Sequence, residues 1–419
     1  MIPMKAGAAR REIVIPAGYP AAENFTTLHD PIHARALAIE TDAPFALVSL
    51  ELTSLPGDEV AALRQLAAAA IGCGPERVWI AATHSFSSPH LMPDHMLKSY
   101  DAIRLKGEYR RNLQSAVVEA VKAAWEARRE AVFGWGAEDC DIVANRDVEL
   151  ESGWWIGTKG DGPTDRTATV LRFDGLDGKP IAAVLHFAMQ SSVMDQCEAA
   201  AGGKIITADV AGMACAELER RLGATALYLI GAAGDQAPVE KAVTETFVGG
   251  ERIRCDVHEA GFELCACLAE RLSDSAERAY RDIKCAPLPA MAAGSAEVAL
   301  PAKRMNGDAH SLRPTREATY VSEGEKTQAI DALRLGDVAL LGVQPELNCA
   351  TGQAIASRSG FGRTLVCTMV NGACKYMADA ASYDTFRYEA LNSPWGRGAA
   401  ERLADAGVRL LDELKEGAV

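Results

Sequence analysis

Side chains able to carry acid–base chemistry or bind a metal follow several apolar segments of the sequence. They are Glu51, His84, Asp235, Glu346 and Asn371, with His186 and Gln190 in and after another apolar segment. In open α/β sheets, ligands bind beyond the carboxyl ends of the strands. Taken alone, each residue also has a structural explanation as a cap or loop residue. Their recurrence after successive apolar runs favours a shared site.

Metal-assisted hydrolysis is one chemistry that these residue types support. His84 and Glu346 are side chains that bind Zn²⁺, and a tyrosine phenolate or a water completes a tetrahedron. Such a metal lowers the pKa of a bound water and polarises a carbonyl. The sequence contains no HExxH motif, and the glycine-rich turn at 231–235 lacks the Walker lysine. We interpret that turn as a tight backbone bend that presents Asp235.

Three strand-helix-strand modules must position these side chains. Their strands are predicted at 45–52 and 78–85, at 181–189 and 226–235, and at 338–346 and 364–372. The strands are continuous apolar runs, which is typical of sheets covered by helices on both faces. Apolar residues at helical spacing predict further helices around 113–125, 257–272 and 403–414. The fold class expected is therefore α/β, with mixed, largely parallel sheets flanked by helices.

Two stretches, 149–169 and 287–325, are rich in turn residues and charge and are predicted to be loops or edge segments. No long polar linker interrupts the chain, so we expect a single α/β domain over 1–419. A tryptophan pair, Trp154 and Trp155, lies in the first of these stretches. It is interpreted either as part of a lid over a ligand or as a plug in the surface layer.

Composition narrows the class of protein. Hydrophobic residues make up 48% and charged residues 24%, as in globular enzymes, and the net charge of -14 opposes a general nucleic-acid surface. No apolar run is long enough for a membrane helix, and no secretory signal is seen, so a cytoplasmic protein is expected. The eleven cysteines are scattered without CxxC, which indicates neither a disulfide framework nor a thiolate zinc site. We expect a small-molecule substrate, no nucleic acid and no membrane, and a homo-oligomer stays open.

Segments at these strand ends resemble the neutral/alkaline (non-lysosomal) ceramidase family and its shorter bacterial relatives. They read LHDPIHARAL (28–37), AATHS (81–85), ANR (144–146), ITADVAG (206–212), GAAGDQAP (231–238), ALRLGDVALLGVQPE (332–346) and VNGACKYMADAASYDTFRYE (370–389). They follow in order over nearly the whole chain, and the last two are the most specific. The resemblance implies the N-terminal catalytic domain of a Zn²⁺-dependent amidase, without the C-terminal immunoglobulin-like domain of full ceramidases.

The resemblance also implies roles for individual residues. His84, Glu346 and Tyr376 match metal ligands, Tyr388 matches a tyrosine that supports the substrate carbonyl, and Arg146 matches an arginine that lines the site. Arg35 and Asp209 match positions that look structural or supporting, and Arg35 together with Arg146 is expected to make the pocket locally positive.

Three departures from the family pattern matter more than these agreements. Phe86 replaces the catalytic second histidine of THTH, Gln190 replaces the second metal histidine, and Ala237 replaces the serine of GDVSP. A glutamine oxygen is an inferior zinc ligand to imidazole. His186 would lie about 13 Å from Gln190 along an extended strand, too far to replace that ligand. The loop histidines His90 and His95 are better placed, although both also have a plain reading as exposed loop residues.

The leading interpretation is a metal-dependent hydrolase of a small, soluble amide, lactam or ester, not of ceramide. A divalent metal, zinc by the resemblance, would be held by His84, Glu346 and Tyr376. Tyr388, Arg146, Asp235 and Tyr376 are the catalytic candidates, and the substrate-binding candidates are Arg35, Phe86, His90, Asn145, Trp154, Trp155, Gln190 and Asn371. Two alternatives stay open: a metal-free isomerase or lyase that uses the same pocket, and a catalytically inactive small-molecule-binding homologue.

Overall fold

A computed structural model describes residues 4–19, 23–157, 160–248, 251–306 and 312–417. The strands are β1 Lys5–Glu12, β2 Phe25–Leu28, β3 His33–Glu40, β4 Pro44–Leu50, β5 Val78–Ala82, β6 Arg129–Asp139, β7 Val143–Asn145, β8 Asp147–Leu150, β9 Gly153–Ile156, β10 Thr167–Gly175, β11 Pro180–Phe187, β12 Lys204–Ile206, β13 Thr225–Ile230, β14 Gln236–Pro238, β15 Val243–Val248, β16 Glu251–Asp256, β17 Met291–Met305, β18 Tyr320–Leu335, β19 Val338–Val343, β20 Glu346–Leu347, β21 Arg363–Cys367 and β22 Tyr376–Met377. The helices are α1 Gly57–Ile71, α2 Tyr100–Glu126, α3 Asp209–Leu222, α4 Gly261–Asp282, α5 Cys349–Arg358, α6 Ala380–Asp384, α7 Tyr388–Leu391 and α8 Ala399–Glu416.

Two main sheets carry the fold. The larger has the strand order β13-β11-β10-β6-β1-β3-β4-β5, and the smaller has the order β17-β18-β19-β21. Each predicted module supplies one parallel pair to these sheets: β4 with β5, β11 with β13, and β19 with β21. A parallel pair needs a crossover of a dozen or more residues, which the helix of each module provides.

The other neighbours in these two sheets are antiparallel. The expectation of a mixed α/β fold flanked by helices is confirmed, but the expectation that the sheets are largely parallel is wrong. The physical reason lies in β1 and β6, which pair with each other in the larger sheet although both carry several charged residues. Neither strand has the continuous apolar run by which the modules are recognised.

The two sheets face each other and helices cover their outer faces. Leu47, Trp79, Leu340 and Leu365 meet between the sheets in one buried cluster. The outer face of the larger sheet packs against α1 and α2 at one end and against α3 and α4 at the other. The outer face of the smaller sheet packs against α5 and α8. Strands covered on both faces explain the apolar runs of the modules.

The stretch 287–325 is predicted to be a loop or an edge segment, and its strand β17 lies at the edge of the smaller sheet, as that prediction allows. Most of it belongs to the long antiparallel hairpin of β17 and β18, with register from Met291 opposite Leu335 to Met305 opposite Tyr320. Many of its side chains are exposed, so no apolar pattern marks it. In the stretch 149–169, β8 and β9 form a short hairpin closed by Gly153 at φ 135°, a conformation that favours glycine.

Helices at 113–125, 257–272 and 403–414 were predicted from periodicity, and α2, α4 and α8 occupy most of those positions. All eleven cysteines are free thiols. Across the described part of the chain, no helix combines the length and the apolar character that crossing a membrane requires.

Candidate functional site

The loops after the module strands converge at one edge of the molecule. His84 follows β5 and Gln190 follows β11, and an isolated parallel bridge between Ser85 and Ser191 sets the two side by side. The Phe86 amide donates to the Ser191 carbonyl over 3.0 Å. The modules therefore bring together residues that are more than one hundred positions apart.

The third module contributes Glu346 and Tyr376. Glu346 begins β20, which pairs in parallel with β22, and Tyr376 lies opposite Glu346 in this register. Arg146 joins from the turn between β7 and β8, where its backbone amide donates to the Asp235 carbonyl over 2.9 Å. Tyr388 is the first residue of α7. The structure thus collects five predicted site residues around one centre, which we call the central cluster: His84, Arg146, Gln190, Glu346 and Tyr376.

His84 and Glu346 form a buried pair. The Nε2 atom of His84 lies 3.0 Å from Oε2 of Glu346, and Nδ1 contacts the Thr53 carbonyl at 2.6 Å. Because a carbonyl only accepts, Nδ1 carries a hydrogen and Nε2 faces the carboxylate. Burial lowers the pKa of His84, but the negative charge of Glu346 outweighs it, so the pKa is raised. His84 also has φ 59°, a strained backbone that the surrounding contacts must hold.

Gln190 links the two charged halves of the cluster. Its Nε2 donates to Oε2 of Glu346 over 2.7 Å, and its Oε1 accepts from Nη1 of Arg146 over 2.7 Å. The guanidinium only donates and the carboxylate only accepts, so both partners are satisfied by one orientation of the amide. Gln190 is 1% exposed, which holds that orientation in place.

A pair of buried carboxyl groups stands behind Arg146. Its Nε and Nη2 donate to Oε1 of Glu389 over 3.1 and 2.6 Å. Asp147 lies close to Glu389, and burial together with the Glu389 charge raises the pKa of Asp147 to about 9. Oδ1 of Asp147 and Oε2 of Glu389 have no donor among the described residues. A proton on Asp147 therefore completes the pair.

Sequence reasoning missed Asp147 and Glu389 as site residues. The signals were present, since Asp147 directly follows the ANR segment and Glu389 ends the RYE segment. Both residues are ionisable and almost fully buried, at 2% and 0% exposure. Burial of this kind cannot be read from a single charged residue in a polar loop.

Aromatic rings form one wall of the site. Tyr376 and Tyr388 meet edge to face at 5.7 Å, and Trp155 contacts Tyr388 in the same way at 5.3 Å. The Arg146 guanidinium lies 5.2 Å from the Tyr376 ring and 5.6 Å from the Tyr388 ring. Burial raises the pKa of both tyrosines, so their hydroxyls stay protonated at neutral pH. Tyr388 is half-buried and is the most accessible of these groups.

Two further predicted residues lie beside the cluster. The Phe86 ring is 4.4 Å from the imidazole of His84, in the position that the resemblance assigns to a histidine. Trp154 points elsewhere, because the Arg387 guanidinium stacks on it at 4.5 Å. Arg387 in turn donates to Asp147 over 3.1 Å. Trp154 thus belongs to the support behind Arg146.

The structure gives Asp235 a different role from the proton transfer expected of it. Its carboxylate accepts hydrogen bonds from Asn145, from Gln236 and from the Cys349 amide at the start of α5, at 2.8 to 3.0 Å. Burial raises its pKa to about 6. Asn145 also accepts from the Asp147 amide over 2.9 Å. Asp235 and Asn145 therefore hold the Arg146 turn and α5 in place, and neither joins the cluster.

Three predicted substrate-binding residues are paired with groups outside the cluster, and their role in binding substrate stays a prediction. Arg35 is 1% exposed and is held in ion pairs with Glu51 and Glu219. Asn371 accepts from the Ile80 amide and donates to Asp331. His90 contacts Glu23 through both its amide and Nδ1. Partners within the protein therefore use Nε and Nη1 of Arg35, both amide atoms of Asn371 and Nδ1 of His90.

The two other histidines considered as substitutes, His186 and His95, do not replace the missing ligand. His186 is buried and donates from Nε2 to the Val366 carbonyl over 3.0 Å, while His95 lies on the surface in a short turn. Neither lies beside Gln190.

The side chains at the cluster do not fit the zinc ion that the family resemblance implies. A catalytic zinc site normally has three protein ligands with free lone pairs. Here Gln190 presents a hydrogen to Glu346, and its oxygen is used by Arg146. Tyr376 keeps its proton because burial raises its pKa. Among the described residues, no group of three or more His, Cys, Asp or Glu side chains could hold a metal.

Fold and site together define a four-layer α/β protein with a buried acid–base cluster at its strand ends. Among solved structures, the chain is similar to neutral ceramidase from Pseudomonas aeruginosa, with a TM-score of 0.74 and 17% identity over 99% of this chain and 75% of that one. It is also similar to a ceramidase complexed with C2, at a TM-score of 0.74 and 16% identity over 99% and 76%. No protein-family model matches, and no curated protein matches by sequence. The resemblance to ceramidases is thus confirmed at the level of the fold.

Proposed function

We propose that this protein is a hydrolase that cleaves an amide, lactam or ester bond of a small polar substrate without a resident zinc ion. The observation that carries the proposal is the buried His84 and Glu346 pair, 3.0 Å apart, beside the cationic Arg146. The ceramidase fold supports the hydrolase class. The bond type and the absence of zinc are inferred from the residues of the cluster.

In the proposed reaction, the Glu346 carboxylate accepts a proton from water as the water oxygen bonds to the substrate carbonyl carbon. Negative charge then develops on the carbonyl oxygen. Arg146 and the protonated hydroxyls of Tyr376 and Tyr388 are the donors able to stabilise it. When the C–N or C–O bond breaks, the pair of His84 and Glu346 returns the proton to the leaving nitrogen or oxygen.

Burial of the cluster argues for a small substrate. His84, Arg146, Gln190, Glu346 and Tyr376 are each at most 7% exposed. Of the two tyrosines beside the cluster, half-buried Tyr388 is the more exposed. Groups buried in this way leave little room for a long lipid chain, which is a further reason to expect a substrate other than ceramide.

A panel of nitroanilides, lactams and nitrophenyl esters, assayed with a strong chelator present, tests the proposal. We expect turnover that survives the chelator and falls by at least about 10²-fold in Glu346→Gln, as for loss of a general base. Glu413→Gln, an exposed carboxylate on α8, is the matched control and should keep full activity. Hydrolysis by the wild type no faster than by Glu346→Gln, on every substrate, would exclude the proposed role.

Metal-free isomerisation or elimination is a second candidate reaction, because a histidine–carboxylate pair can also transfer a proton to or from a carbon atom of the substrate. The same pair, His84 and Glu346, favours it. The mass of the product separates the two candidates, since hydrolysis adds the elements of water and isomerisation adds nothing.

A further inference from the structure

A polar cavity lies apart from the central cluster. It has a volume of about 260 Å³ and is bounded by β11, β21, α5 and the segment before β10. Its polar lining residues include Asp165, His186, Gln353, Arg363 and Thr364. No residue of the central cluster lines it.

Arg363 brings an incompletely paired cation to this cavity. Its Nη2 donates to Thr169 over 2.6 Å, and its Nε is buried without an acceptor among the described residues. No carboxylate of the described chain lies within 4.0 Å of the Arg363 guanidinium. A guanidinium can bind a carboxylate through two parallel hydrogen bonds, which makes it selective for that group.

The same cavity also carries acceptors. Because His186 donates from Nε2 to the Val366 carbonyl, its Nδ1 has a free lone pair, and that atom has no partner among the described residues. Burial lowers the pKa of His186, which keeps the ring neutral. Asp165 uses Oδ1 to accept from the Thr167 amide over 2.9 Å and adds one negative charge to the wall.

We propose that this cavity binds a small zwitterion of the amino acid type, with its carboxylate on Arg363 and its ammonium on Asp165 and His186. A simple anion would face the Asp165 carboxylate, and a simple amine would face the Arg363 cation. A ligand with both groups balances both charges. Ala188, Ala232 and Val366 offer an apolar patch for a short side chain. This site is independent of the proposed hydrolysis.

Calorimetric titration of the full chain with each of the twenty amino acids tests the proposal. We expect at least one to bind with a dissociation constant of about 1 mM or tighter. Its deaminated and decarboxylated analogues should bind at least about 10-fold more weakly, as expected when a charge-assisted hydrogen bond is lost. Absence of binding for all twenty would overturn the proposal, and so would equal binding of the deaminated acid.

Substitutions locate the binding. Arg363→Gln and Asp165→Asn should each weaken it at least about 10-fold. Arg358→Gln is the control, because Arg358 lies on α5 near the cavity but is exposed and paired with Asp405 at 2.8 Å. If Arg363→Gln fails to fold by circular dichroism, Arg363→Lys keeps the charge but loses the two-point geometry. Glu346→Gln should bind the amino acid as tightly as the wild type does, which separates this site from the hydrolytic one. Unchanged binding in both the Arg363 and the Asp165 variants would show that the amino acid binds elsewhere.

Discussion

The side-chain amide of Gln190 donates to the Glu346 carboxylate over 2.7 Å and accepts from Arg146 over the same distance. In the ceramidase-like pattern this position is a metal-binding histidine. Here an amide couples a permanent cation to the carboxylate instead. The Arg146 cation therefore lies one amide group away from the Glu346 carboxylate and interacts with its charge.

Restoring the histidine should restore a metal site. In Gln190→His, the new imidazole would join His84, Glu346 and Tyr376, which completes a zinc donor set. We expect about one zinc per chain after incubation with zinc and dialysis, measured by elemental analysis, against none in the wild type. Gln65→His, on the exposed face of α1, is the control for adventitious binding. Stoichiometric zinc in the wild type would show that Gln190 does not block the site.

Removing the Glu346 charge should lower the pKa of His84. In the wild type burial lowers the pKa and that charge outweighs it, whereas in Glu346→Gln burial is opposed only by the hydrogen bond to the Thr53 carbonyl. Protonation of His84 stabilises the folded state because its pKa is raised there. This contribution to the free energy of unfolding is complete below the ordinary histidine pKa of 6.5, and it is lost as pH rises through the raised pKa of the folded state. Nuclear magnetic resonance titration of the His84 ring measures the change. An unchanged pKa in Glu346→Gln would show that the pair is not coupled, and Glu413→Gln should leave it unchanged.

Arg35 should matter for stability and not for substrate. It is fully buried with Glu51 at 2.7 Å and Glu219 at 2.5 Å, so Arg35→Ala leaves the buried Glu51 carboxylate without its arginine and with only His33 as a partner. We expect a loss of about 3–5 kcal/mol in the free energy of unfolding by urea. Arg10→Ala removes an exposed partner of the same Glu219 and should cost at most about 1 kcal/mol. A change in KM without loss of stability would instead support the substrate-binding role expected from the sequence.

The three modules could be predicted from sequence because each strand is buried on both faces and is therefore a continuous apolar run. The strands β1 and β6, which lie between them in the larger sheet, could not, since both include exposed positions and charged residues that interrupt any apolar run. Without a continuous apolar run or a clean alternation, a strand gives only a weak signal in the sequence. The sequence thus indicated where the parallel pairs are, but not that antiparallel strands join them.

The site could be predicted where a polar residue ends an apolar strand, as for His84 and Glu346. The partners of those residues could not. Gln190 suggested only a missing ligand, and its bridging role depends on Arg146, which arrives from a distant turn. Arg35 and Asn371 end apolar strands or lie in them as well, yet their polar atoms are used inside the fold. Which polar side chains share a centre is decided by tertiary packing, not by spacing along the chain.

Asp147 should make the folded state less stable as pH rises. Burial and the Glu389 charge raise its pKa from 3.8 to about 9, so between these values the folded chain keeps a proton that the unfolded chain releases. Since the unfolded state then binds fewer protons, the free energy of unfolding falls as pH increases across that window. Asp147→Asn should flatten this slope, because its amide donates to Glu389 as the protonated acid does.

Urea unfolding at pH 5, 7 and 9 measures the slopes of the wild type and of Asp147→Asn. The control is Asp141→Asn, because Asp141 is an exposed acid paired with Arg271. Parallel slopes for the wild type and Asp147→Asn would mean that the two carboxyl groups share no proton.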